Sequence, residues 1–107
     1  MRTPRVQILY FQGCPNHEHA RQLVEQVAGT LRLQPAIELV EVADAEAATR
    51  LRFLGSPTVR IDGRDVERGV AERTDFALSC RLYRGERGVV GQPDEAWIRE
   101  ALTEAAG

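Results

Sequence analysis

Val6-Gln7-Ile8-Leu9-Tyr10-Phe11-Gln12-Gly13-Cys14-Pro15 joins a strand-like run to a helix start, and the architecture follows from that junction. Its first six residues carry apolar side chains on both parities, as a strand buried on both faces of a sheet requires. Gln12-Gly13 ends the strand. Pro15 suits the first turn of a helix, where its missing N–H costs nothing. Ala20, Leu23, Val24, Val27, Ala28 and Leu31 then recur at i, i+3, i+4, i+7, i+8 and i+11, one face of a helix of about four turns. The spacing predicts a strand leading into a helix that starts at Cys14.

Further along, Pro35 breaks the helical pattern, and Ile37-Glu38-Leu39-Val40-Glu41-Val42 reads as a second strand. Its glutamates fall on opposite parities, which places it near a sheet edge. Asp44 is a natural N-cap for a short helix through Leu54, with Ala47, Ala48, Leu51 and Leu54 inward and Gly55 as its stop. Thr58-Val59-Arg60-Ile61, Asp62-Gly63 and Arg64-Asp65-Val66-Glu67 form a hairpin signal, because Asp-Gly tolerates the positive φ of a type I′ turn. Phe76, Leu78, Cys80 and Leu82 alternate with Ala77, Ser79, Arg81 and Tyr83, so a further strand with Cys80 on its apolar face is expected there. Gly85 to Gln92 reads as a turn-rich loop. Pro93-Asp94-Glu95 opens a last helix carrying Ile98, Ala101, Leu102 and Ala105 on one side, with Trp97 beside them.

The parallel β-α-β step and the antiparallel hairpin together predict an α/β sandwich with a mixed sheet. A strand-bearing insertion, at about residues 68–93, precedes the C-terminal helix. With 107 residues, 43% apolar and 28% charged, the chain has the size and composition of one globular domain, residues 1–107. The 14 basic residues are all arginine and are outnumbered by 16 acidic ones, so a nucleic-acid binder that must neutralise many phosphates is not expected. The apolar stretch after Met1-Arg2-Thr3-Pro4-Arg5 is too short for a signal-peptide core or a membrane span. A cytoplasmic protein without membrane partners is the expectation.

Two cysteines are too few for a disulfide scaffold. Cys14 falls between the carboxyl end of a strand and the start of a helix, where open α/β sheets place their ligands. Unpaired N–H groups and the helix dipole favour an anion there by roughly 0.3–1 kcal/mol, and the thiolate is the nucleophilic form. His17, at i+3, shares a helix face with Cys14 and can hydrogen-bond its sulfur or relay a proton, or stand as a plain helix-surface histidine. His19, turned well away from it, is expected in solvent. Cys80 reads as a core cysteine in preference to a resolving thiol, and Arg81 as a surface arginine in preference to a carboxylate clamp.

The Gly13-Cys14-Pro15-Asn16-His17 turn, the Ser56-Pro57-Thr58 step and the order of elements resemble the thioredoxin-like superfamily over residues 5–67 and 93–105. The Phe-Gln-Gly-Cys-Pro-Asn-His run and the Leu-Ser-Cys-Arg-Leu-Tyr segment are similar to a small bacterial branch of it. Some of its members carry selenocysteine at the position of Cys14, and some are labelled as associated with alkylmercury lyases. The resemblance implies a three-layer thioredoxin-like sandwich with Cys14 as its active-site thiol. It also implies a cis-proline at Pro57, with Pro15, Ser56, Pro57 and Thr58 lining the substrate. The departure is His17, which stands where a dithiol member has its second cysteine, so ordinary CxxC exchange is excluded. A single-thiol cycle needs a thiol or disulfide substrate and a reductant: glutathione or a similar small thiol, a second protein, or Cys80. No other cofactor is implied. Two alternatives stand beside this reading. One is soft-metal binding (Hg, Cu or Zn) by Cys14, His17 and Cys80; the other is a non-catalytic binding module on the same fold.

Overall fold

The computed structural model describes residues 2–107. Strand β1 (Arg5–Tyr10) is followed by helix α1 (His17–Thr30), strand β2 (Ala36–Glu41), helix α2 (Ala45–Arg50), and strands β3 (Thr58–Ile61) and β4 (Arg64–Asp65). A separate hairpin of β5 (Tyr83–Gly85) and β6 (Gly88–Val90) precedes helix α3 (Glu95–Ala106). The main sheet runs β2-β1-β3-β4. It is mixed, with β1 parallel to β2 and antiparallel to β3. As its glutamates imply, β2 lies at the edge.

Alternation along β1 builds two cores, because successive side chains of a strand leave opposite faces. Val6 and Ile8 meet Ala20, Val24, Val27 and Ala28 of α1, Val59 and Ile61 of β3, and Ile98 and Leu102 of α3. Leu9 points the other way, into a cluster with Val42, Ala47, Ala48 and Phe53, against which Phe11, Val40 and Leu51 pack. The sheet is thus enclosed between α1 and α3 on one face and α2 on the other. No helix among the described residues is long and apolar enough to cross a membrane.

Several local expectations are corrected. Helix α1 begins at His17 with Asn16 as its cap, not at Cys14, and Pro15 lies in the turn before it. Helix α2 is capped by the Asp44 side chain at the Ala47 N–H, 2.8 Å, yet it ends at Arg50 rather than Leu54. Arg52 takes a left-handed φ of 54° and Phe53 N–H reaches back to Ala48 O at 2.8 Å, a closing pattern that stops the helix before Gly55 does. The 76–82 alternation forms no continuous strand; the ladder comes later, as the β5–β6 hairpin in the stretch expected to be loop. The chain there follows a different partner, through an isolated parallel bridge between Ser56 and Cys80.

That bridge makes residues 79–81 a strap across the start of β3. Ser56 N–H donates to Ser79 O at 2.8 Å and Arg81 N–H donates to Ser56 O at 2.9 Å. Gly55, at φ +120°, is required here: a Cβ on it would meet Arg81 Cβ at 2.9 Å and Ser79 O at 3.0 Å.

Candidate functional site around Cys14

Cys14 ends the turn that leaves β1. Its N–H donates to Phe11 O at 3.2 Å, and Gly13 before it takes φ +94° with open space where a Cβ would stand. The turn is therefore tied to the strand at one side and to the helix at the other, where Ala20 N–H donates to Asn16 O at 3.1 Å. Cys14 is a free thiol with only 3% of its surface exposed.

His17 braces the same turn, though not by the contact expected of it. Its Nδ1 donates to the Cys14 carbonyl oxygen at 2.9 Å, not to the sulfur. A carbonyl can only accept, so the bond places a proton on Nδ1. The ring lies stacked on Tyr10, with centroids 4.1 Å apart and planes 15° apart, and its Nε2 stands 3.9 Å from Glu18 Oε1. Tyr10, the last residue of β1, is a contributor that helix periodicity could not have found, because the stack joins a strand to a helix. His19 is exposed, as expected.

Ser56, Pro57 and Thr58 are all buried, and the Ser56–Pro57 peptide is cis. Both backbone groups of Ser56 are engaged by residues 79 and 81, so they are not open to a substrate chain in this structure. The Thr58 hydroxyl donates to Gly55 O at 2.6 Å, and the Tyr83 hydroxyl donates to Pro57 O. Pro15 is exposed.

Cys80 and Arg81 exchange the roles that alternation assigned to them. Cys80 is exposed and unpaired, whereas the Arg81 side chain is 1% exposed. Its guanidinium grips Asp65 with two bonds, 2.7 and 3.0 Å, reaches Glu67 at 2.9 Å and Thr58 Oγ1 at 3.1 Å, and lies over the Tyr83 ring at 4.4 Å. Period-2 reasoning failed because a paired arginine can be buried where an unpaired one cannot. Burial alone would lower the Arg81 pKa, but the bonds to Asp65 and the surrounding negative charge overcome it and hold the group above its ordinary value. Burial pushes the Tyr83 phenol well above its ordinary value.

Among the described residues, no three His, Cys, Asp or Glu side chains are gathered as a metal site would need; Cys14, His17 and Cys80 do not form such a group. No protein-family model matches the chain, and a search of curated proteins finds no relative.

Proposed function

We propose that this protein is a thioredoxin-like thiol-disulfide oxidoreductase that works through one cysteine, Cys14. The observation carrying the proposal is the placement of a free thiol on the turn between the carboxyl end of β1 and the start of α1, braced by His17. The element order and the β2-β1-β3-β4 sheet support the thioredoxin-like assignment.

In the proposed cycle the Cys14 thiolate attacks the glutathione sulfur of a glutathionylated thiol. A new S–S bond forms at Cys14 as the old one breaks, and the electron pair leaves with the product thiolate, which takes a proton. A second glutathione thiolate then attacks the glutathione sulfur on Cys14. Oxidised glutathione departs and the Cys14 thiolate is restored, so the reducing equivalents come from the small thiol. His17 acts as a positioning residue: through the Cys14 carbonyl and the Tyr10 stack it holds the turn that carries the sulfur.

Alkylation followed by peptide mass spectrometry, scoring Cys14 and Cys80 separately, tests the proposal together with a thiol-transfer assay on Cys14→Ser. Cys14 is expected to react in the native state, and the variant to fold normally with all transfer lost. A Cys14 silent until unfolding, or transfer retained in Cys14→Ser, overturns the assignment and leaves a binding module on this fold.

A further inference from the structure

A cleft of about 510 Å³ lies between the turn that follows α2, the β3–β4 hairpin and the loop after that hairpin. Arg52, Arg60, Arg64, Arg68 and Arg73 line it, and its carboxylates, Asp65 and Glu67, are both engaged by Arg81. Arg68 pairs with Glu100 and Glu104, and Arg73 with Asp75. Arg52, Arg60 and Arg64 have no carboxylate within 4.0 Å among the described residues.

Two of these three cations are held in place by neutral oxygens. Arg52 Nη2 donates to Ala71 O at 3.1 Å, and its guanidinium lies 5.0 Å above the Phe76 ring. Arg60 Nη2 donates to Leu51 O at 2.6 Å and to Arg52 O at 3.1 Å. Among the described residues, the Nε and Nη1 atoms of Arg52 and Arg60 donate to no protein acceptor. Burial lowers the Arg60 pKa, and the nearby Arg81 and Arg52 charges add to that against the pull of Asp65. Guanidiniums already oriented lose little freedom on meeting an anion, and their fork matches a phosphoryl group bidentately.

We propose that this cleft binds a small phosphoryl-bearing anion through Arg52, Arg60 and Arg64. A polyanion such as nucleic acid fits less well, because Asp75, Glu100 and Glu104 stand around the arginines and the chain carries a net charge of −2. The site involves neither Cys14 nor His17, so it stands apart from the thiol chemistry.

The test is titration of the labelled protein with inorganic pyrophosphate at constant ionic strength, followed by amide NMR shifts. Saturable shifts are expected at residues 52, 60, 63–65 and 69–71. Arg64→Gln, at an exposed side chain, is expected to weaken binding about tenfold with the fold intact, and Arg52→Gln by a similar factor. Cys14→Ser is expected to bind as the wild type does. Adenosine diphosphate in a parallel titration separates the sources: tighter binding marks a phosphorylated metabolite, equal binding a free phosphoanion. Absence of saturation, shifts centred elsewhere, or wild-type affinity in both arginine variants overturns the proposal.

Discussion

Cys80 stands opposite Ser56 in a parallel β-bridge, with the residues on either side of Cys80 taking both backbone groups of Ser56. The insertion is thereby stitched to the sheet beside the cis Ser56–Pro57 peptide, and the thiol it carries faces solvent. A cysteine expected in the core is instead the accessible one.

That exposure gives the first prediction. Cys80→Ser is expected to keep full thiol-transfer activity when glutathione is supplied, because the small thiol resolves the mixed disulfide without it. Loss of turnover in the variant, with normal folding by circular dichroism, would make Cys80 the resolving thiol.

Arg81 is the anchor of the strap. Arg81→Met removes a buried cation from Asp65, Glu67 and Thr58 and leaves carboxylates in a partly dry site. Those carboxylates keep 14% and 20% of their side-chain exposure, so a loss of about 3 kcal/mol is expected, at the low end for a broken buried pair. Urea unfolding measures it; a change below about 0.5 kcal/mol, the size of an ordinary surface substitution, would show that the ion pair is ornamental.

Gly55→Ala is expected to destabilise by about 1–3 kcal/mol, because the added methyl group meets the strap backbone and the φ of +120° disfavours any side chain. Gly63→Ala has a positive φ but open space, and is expected to cost about 1 kcal/mol, from the backbone conformation alone. Equal losses in the two variants would mean that the strap yields freely.

Tyr83 sets an alkaline limit. Its folded pKa is raised by burial above the unfolded value of about 10. Stability associated with the protonated phenol is therefore complete below about pH 10 and falls as the pH rises beyond it, since only the unfolded chain ionises there. Tyrosinate absorbance should show Tyr83 ionising together with unfolding, and Tyr83→Phe should flatten the alkaline decline. An unchanged decline in that variant would assign it to other groups.

Much of this molecule follows from periodicity. The apolar spacing of Ala20 to Leu31 and of Ile98 to Leu102, the double-sided burial of Val6 to Leu9, and the Asp62-Gly63 turn each depend on near neighbours in the chain, and these elements form over the residues their patterns mark, although α1 starts at His17 and not at Cys14. Of the candidate site, Cys14 and His17 do share one turn, but their mutual contact runs through a backbone carbonyl and an aromatic partner from β1. No spacing rule encodes that.

The element order as far as the Asp62-Gly63 hairpin, the last helix, the mixed sheet and the turn that bears Cys14 are legible in the chain, because they arise from side-chain alternation, capping and turn chemistry over a few residues. Which of Cys80 and Arg81 is buried depends on long-range contacts. Alternation records hydrophobicity, whereas burial of a guanidinium depends on carboxylates 14 and 16 residues away, Glu67 and Asp65, arriving at bonding distance.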